Sequence, residues 1–135
     1  MRIIGLDWGE ARIGVSVSDP LGITAQPLIS LDNDIEFKGK LREILQKYDA
    51  TEIVVGYPKQ MSGKAGISAE KVNEFCKKIK DEFQVKITLW DERLTTKLAQ
   101  QALSGSGASR KRKKSFVDAS AAGIMLQSYM DSRKQ

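Results

Sequence analysis

The opening stretch RIIGLDWGEARIGVSVSD, residues 2–19, decides the fold. Two β-rich runs, 2–7 and 13–18, flank a short turn that contains Gly9, and this pattern predicts a β-hairpin. The first run ends in an acid, Asp7. A carboxylate at the end of a buried strand is costly unless a hydrogen-bond donor, a cation or a metal ion faces it. Asp7 is therefore the first candidate for a functional residue.

The rest of the chain predicts an α/β fold with a mixed five-stranded sheet and helices on both faces. Antiparallel strands at the start, followed by alternating helices and strands, are typical of this arrangement. The further predicted strands are 24–31, 51–58 and 85–92, and the predicted helices are 32–49, one from Ser68, 94–105 and one from Ser115. No linker interrupts the pattern, so we expect a single domain over residues 1–135.

Composition excludes several kinds of catalytic site. The chain has no histidine and one cysteine, Cys76. These counts exclude Ser-His-Asp and Cys-His centres and the usual structural zinc sites. Any metal ion would need oxygen ligands, which favours Mg²⁺ or Mn²⁺.

Charge and hydropathy indicate the partner and the compartment. The formal net charge is +5, which favours a polyanionic partner such as nucleic acid. The sequence contains neither an apolar run long enough to span a bilayer nor the pattern of a signal peptide. A single cysteine suits a reducing compartment, so we expect a cytoplasmic protein.

Acids occur where three predicted elements meet one edge of the sheet. Asp7 ends the first strand, Asp91 and Glu92 end the strand 85–92, and Asp118 lies in the first turn predicted for the last helix. Ligands collect at the carboxyl ends of strands in such sheets. Divalent cations offset the repulsion among grouped carboxylates, and two of them can assist hydrolysis of a phosphodiester. We predict a site of Asp7, Glu92 and Asp118, with Asp91 as the substitute because neighbours on a strand face opposite ways.

Each acid also has a purely structural explanation. Asp7 could cap the turn that follows it, and Asp118 could complement the helix dipole. The pair Asp91 and Glu92 could bind Arg93 or cap the next helix. The residue pattern leaves both interpretations open.

Basic residues precede the last acid. The polar stretch 104–115 predicts a mobile loop that carries five consecutive cations close to Asp118. Such a run is either a solvated surface segment or a set of phosphate contacts. Arg12 and Arg93 lie near the other acids and could orient a phosphate. The predicted nucleic-acid-binding residues are Arg12, Arg93, Arg110, Lys111, Arg112, Lys113 and Lys114.

Four ordered motifs resemble the YqgF (RuvX-type) family of bacterial proteins, which are described as pre-16S rRNA nucleases or Holliday junction resolvases. The motifs are GLDWGEARIGVSVSD, IVVGYPKQMSGKAG, LWDERLTT and SRKRKKSFVDASAAGIMLQSYMD. The resemblance implies an RNase H-like fold, phosphodiester hydrolysis with Mg²⁺ or Mn²⁺, and Asp7, Glu92 and Asp118 as catalytic, metal-binding acids. The chain departs from the family pattern in the loop 57–63 and at Leu98 and Gln100, away from those acids.

The leading functional hypothesis is a hydrolase that processes the 5′ end of pre-16S rRNA in ribosome biogenesis. Its partner would be structured RNA, and its active form a monomer or a homodimer. One alternative is a dimeric Holliday junction resolvase that acts on branched DNA, and another is a non-catalytic RNA-binding protein that uses only the basic stretch. Nucleotide binding of the actin and sugar-kinase type fits less well, because that superfamily clamps ATP between two domains and 135 residues supply one.

Overall fold

The computed structural model describes the backbone of residues 2–57, 65–91 and 110–133, and the side chains of 2–56, 70–90 and 119–133. In these ranges the strands are β1 (Arg2–Asp7), β2 (Arg12–Ser18), β3 (Ala25–Asp32), β4 (Ala50–Tyr57) and β5 (Lys86–Asp91). The helices are α1 (Phe37–Lys47), α2 (Ala65–Glu82) and α3 (Arg110–Ser132). The predicted helix 94–105, together with Glu92 and Arg93, lies outside the described residues.

The five strands form one mixed sheet in the order β3-β2-β1-β4-β5. The predicted hairpin is confirmed, since β1 and β2 pair antiparallel with Asp7 opposite Gly14. Strands β1, β4 and β5 are parallel neighbours, and β3 pairs antiparallel with β2. Parallel pairing requires crossover connections, which here contain α1 before β4 and α2 before β5.

Side-chain alternation along the strands produces a core on each face of the sheet. Ile4 and Leu6 of β1 belong to the core that α1 and α2 cover. Ile3, on the alternate face, packs against the core formed with α3, which includes Val54, Met125, Leu126, Tyr129 and Met130. The prediction of helices on both faces is therefore confirmed. We call the two faces the α1/α2 side and the α3 side.

The helix α1 starts later than predicted. The predicted segment began at residue 32, whereas α1 begins at Phe37. The Asp34 carboxylate accepts a 3.0 Å hydrogen bond from the Glu36 amide, and this local bond competes with helix formation. From Phe37 the buried residues Phe37, Leu41 and Leu45 recur every four positions, as an amphipathic helix requires.

The prediction of a mobile loop through 104–115 is wrong for Arg110–Lys114, because α3 begins at Arg110 rather than at Ser115. Lysine and arginine are good helix formers, and glycine is absent between Gly107 and Gly123. Asp118 therefore lies two turns inside α3 and not in its first turn. None of the described helices is long and apolar enough to cross a membrane.

Small residues let α3 approach the sheet closely. Ala121 and Ala122 are fully buried, and a Cβ added to Gly5 of β1 would lie only 3.0 Å from the Leu126 Cβ. At the same point the Ser16 hydroxyl donates a 2.8 Å hydrogen bond to the Ala122 carbonyl oxygen. These contacts fix where α3 crosses β1 and β2.

Candidate functional site

Strand β1 carries Asp7 to the carboxyl edge of the sheet. Asp7 alternates with Ile3 and Gly5, so it belongs to the α3 side, and it is half-buried. Its partners in the sheet are Gly14 on β2 and Gly56 on β4. Directly opposite residues share a face of the sheet, and neither glycine has a side chain. Neither directly paired residue therefore places a side chain beside Asp7.

The helix α3 runs in the direction opposite to β1. Near the end of the helix, the Tyr129 hydroxyl donates a 2.6 Å hydrogen bond to Glu52 of β4, which is aligned with Ile3 at the start of β1. Further back along the helix, Ala122 lies over Gly5. The amino-terminal half of α3 therefore extends toward the edge of the sheet where β1 ends.

The backbone of Asp118 reaches the level of Asp7. Asp118 precedes Ala122 by four residues, which is an advance of about 6 Å along a helix. Asp7 follows Gly5 by two residues, an advance of about 6.6 Å along a strand. Because the two elements run in opposite directions, these advances bring both positions to the same edge on the same side. The side chain of Asp118 is outside those described.

Strand β5 ends at the same edge of the sheet, with Asp91 as its last residue. Trp90 is aligned with Gly56, which is in turn aligned with Asp7. Thr88 and Trp90 lie on the α3 side, where Thr88 donates to Glu52 and the Trp90 ring contacts Tyr129. Position 91 is the last of β5, and by strand alternation it belongs with the positions of the other face rather than with 88 and 90. The next position, 92, lies outside the described residues.

The donors at this edge suit a hard divalent cation. Asp7 provides carboxylate oxygens, which Mg²⁺ and Mn²⁺ prefer. Burial raises the pKa of the Cys76 thiol to about 11, so this residue is not a ready thiolate ligand. Among the side chains that the structure describes, no three acids, cysteines or histidines are grouped to hold a metal ion. Asp7 is the one residue of the predicted acid set in that range.

Two groups of predicted phosphate-binding residues lie at or beyond this edge. Arg12 begins β2 and belongs to the same alternating set as Gly14 and Ser16, hence to the α3 side. The run Arg110–Lys114 forms the start of α3, and Arg110 lies about 12 Å further along the helix axis than Asp118. The basic run therefore extends past the edge at which Asp7 lies.

Sequence reasoning missed features that arise from strand pairing and from the packing of α3 on the sheet. The two glycines that flank Asp7 are 42 positions apart in sequence, at 14 and 56, and only the register of the sheet unites them. The hydrogen bond from Ser16 to Ala122 joins residues separated by 106 positions. The one available signal was the small size of Gly5 and Ala122, which permits close packing.

Comparison with known proteins gives matches over the whole chain. A family described as "RuvX: Holliday junction resolvase" matches residues 1–132. A Geobacillus sp. (strain WCH70) protein named "Putative pre-16S rRNA nuclease" is 45% identical over 138 residues, covering 99% of this chain and 100% of the relative. A Clostridium acetobutylicum protein of the same name is 46% identical over 134 residues, covering 98% and 99%.

Solved structures share the fold at low sequence identity. Thermus thermophilus RuvC in complex with a Holliday junction substrate is 16% identical, with a TM-score of 0.56 and coverage of 99% of this chain and 96% of that chain. The fowlpox virus resolvase in complex with Holliday junction DNA is also 16% identical, with a TM-score of 0.55 and full coverage of both chains. These likenesses confirm the RNase H-like fold.

Proposed function

This chain belongs to the RuvX family and is a nuclease that hydrolyses phosphodiester bonds, and we propose that it processes the 5′ end of pre-16S rRNA in ribosome biogenesis. The relatives with this name are matched over nearly their whole length. On this proposal the chain acts as a single domain, residues 1–135, in the cytoplasm, where precursor rRNA is processed.

The proposal depends on the common level of Asp7 and Asp118 at one edge of the sheet. Both positions lie on the α3 side, and the residues paired with Asp7 in the sheet, Gly14 and Gly56, are glycines. Asp118 is two turns inside α3, beyond the first turn in which a carboxylate complements the helix dipole. Asp118 is therefore too far from the start of α3 to complement the helix dipole, and this position supports a role at the sheet edge.

We propose Glu92 as the third acid of the site, with Asp91 as the substitute. Thr88 and Trp90 lie on the α3 side, and position 91 belongs to the alternate set of positions along the strand. Strand alternation therefore favours position 92 over position 91 as the ligand on the α3 side. Bound Mg²⁺ or Mn²⁺ would activate water and offset the charge that develops on the phosphate. Asp7, Glu92 and Asp118 would hold the cation by their carboxylate oxygens.

The basic residues provide affinity for the substrate backbone. The run Arg110–Lys114 at the start of α3 would bind phosphates without regard to sequence, so binding should weaken as salt rises. Arg12, on the same side of the sheet as Asp7, and Arg93 would orient the phosphate under attack.

Cleavage of precursor rRNA in the presence of Mn²⁺ tests the proposal. Asp7→Asn and Asp118→Asn should each abolish cleavage while the circular dichroism spectrum stays that of the wild type. The matched control is Asp81→Asn, which changes an exposed carboxylate near the end of α2. Because α2 ends just before β5 begins, Asp81 lies toward the edge of the sheet opposite to that of Asp7. Full activity of Asp7→Asn would overturn the proposed site.

A Holliday junction is the second candidate substrate, because the family description and the fold neighbours both name it. The same assay with a synthetic four-way junction separates the two. Resolution requires two paired sites, so preferred cleavage of the junction by a homodimer would favour this candidate. Salt-dependent RNA binding with no cleavage and no divalent-ion requirement would indicate the third function, a non-catalytic RNA-binding protein.

A further inference from the structure

A cavity of about 430 Å³ lies on the α1/α2 side of the sheet, beside the turn that follows β1. Three of its lining residues are aromatic. They are Trp8, Phe37 and Phe75, and the ring centroids of Phe37 and Phe75 are 5.6 Å apart. Its polar lining residues are Asn33, Asp34, Lys38, Lys71, Glu74 and Lys78.

The chemistry of this lining fits a nucleotide that is not base-paired. Aromatic rings stack on bases, and lysines bind the phosphates on either side of them. Carboxylates accept hydrogen bonds from exocyclic amino groups, as Asp34 and Glu74 could, and the Asn33 amide can both donate and accept. The volume falls in the range of small-ligand sites, about 300 to 1,000 Å³.

The cavity and Asp7 lie on opposite faces of the sheet, and Trp8 at the end of β1 lines the cavity. Trp8 follows Asp7 directly, so their Cα atoms are about 3.8 Å apart. Asp7 lies on the α3 side, whereas Trp8 packs against the α1/α2 core. A single strand that crosses the end of β1 with a phosphate at Asp7 can therefore bring a neighbouring nucleotide to the mouth of the cavity.

Two contacts tie the turn after β1 to the cavity wall. The Asn33 Nδ2 atom donates a 2.8 Å hydrogen bond to the Gly9 carbonyl oxygen. Lys71 forms a 2.8 Å ion pair with Glu10, and both side chains are substantially exposed. A phosphate that entered the cavity would compete with Glu10 for Lys71, because exposed ion pairs are held weakly.

We propose that this cavity binds one unpaired nucleotide of the substrate strand, adjacent to the phosphate that is cleaved. Its base stacks on Trp8, and its phosphate contacts Lys71 and Lys78. The substrate therefore has a splayed-out nucleotide beside the scissile bond, which makes the cavity a determinant of specificity. The inference rests on the proposed cleavage site at Asp7.

Intrinsic fluorescence tests the site independently of cleavage. The chain has two tryptophans, Trp8 and Trp90. Trp90→Phe leaves Trp8 as the single reporter, and Asp7→Asn in the same protein prevents turnover. A short single-stranded RNA oligonucleotide should quench this fluorescence, and the same strand in a blunt duplex should not. Replacement of one nucleotide at a time by an abasic residue should remove the quenching at a single position.

Affinity measurements on matched lysine variants keep the test valid if Trp8 substitutions unfold the protein. Lys78→Gln should weaken binding of the single-stranded oligonucleotide severalfold, whereas Lys77→Gln should not. Both lysines are exposed on α2, and only Lys78 lines the cavity. A folded Trp8→Leu variant should lose about tenfold in affinity, as expected for one stacked base.

The outcomes separate this inference from the proposed function. Asp7-dependent cleavage without position-specific quenching, or equal effects of Lys77→Gln and Lys78→Gln, would overturn the cavity assignment alone. Position-specific quenching in the reporter protein, together with no cleavage of precursor rRNA by the wild type, would support the nucleotide site and overturn the proposed function.

Discussion

The Ser16 hydroxyl donates a 2.8 Å hydrogen bond to the main-chain carbonyl oxygen of Ala122, and both residues are completely buried. The bond links β2 to α3 at the point where the helix crosses Gly5. One helical turn before Ala122 lies Asp118, at the level of Asp7. The contact between a strand hydroxyl and a helix carbonyl therefore sets the distance between the sheet and the turn that carries the candidate acid.

Replacing Ser16 by alanine tests this link. Ser16→Ala removes the buried hydrogen bond, so the free energy of unfolding should fall by about 1 kcal/mol in a urea titration. Cleavage should fall as well, because the turn that carries Asp118 loses its anchor. Ser128→Ala, an exposed position on the same helix, should change neither property appreciably. Equal stability of the two variants would show that the Ser16 bond contributes nothing.

Two glycine substitutions should change stability in opposite directions. A Cβ at Gly5 would overlap the Ser16 hydroxyl and crowd the Leu126 Cβ, so Gly5→Ala should destabilise the protein by about 1 to 3 kcal/mol. Gly39 lies within α1, and apart from its chain neighbours and the backbone of its own helix, no heavy atom of the described residues is within 4 Å of the Cβ that alanine would add. Gly39→Ala should therefore stabilise the protein by up to about 1 kcal/mol. Thermal unfolding would reveal both changes, and a stable Gly5→Ala variant would contradict the close packing of α3.

Much of the fold could be predicted because periodicity is a local property. The β-rich runs 2–7 and 13–18 on either side of a turn predicted the hairpin, and the last helix was predicted from its run of small and apolar residues. The start of α3 was not predicted correctly. A run of like charges is typical of loops, but lysine and arginine also favour helices. The glycines on either side of Asp7 could not be predicted, since their proximity depends on the register between strands.

Stability at high pH should depend on Tyr129. Burial, and then the hydrogen bond that it donates to Glu52, raises the pKa of the Tyr129 hydroxyl above its ordinary value of 10.0. The unfolded chain therefore loses this proton at a lower pH than the native protein does. The associated stability is complete below about pH 10 and declines as pH rises above that value.

A comparison with Tyr129→Phe isolates this contribution. The variant should be less stable than the wild type at neutral pH, because the buried Glu52 carboxylate loses a donor. Between about pH 9 and 11 its free energy of unfolding should decline less steeply than that of the wild type. Parallel declines in urea titrations across this range would contradict the raised pKa.

Calorimetric titration with Mn²⁺ tests most directly whether Asp7, Glu92 and Asp118 share a divalent cation. We expect the wild type and the control Asp81→Asn to bind Mn²⁺ alike. Asp7→Asn, Glu92→Gln and Asp118→Asn should each weaken binding by at least about tenfold, because a carboxylate ligand is removed. Wild-type Mn²⁺ affinity in all three variants would contradict a shared metal site at this edge of the sheet.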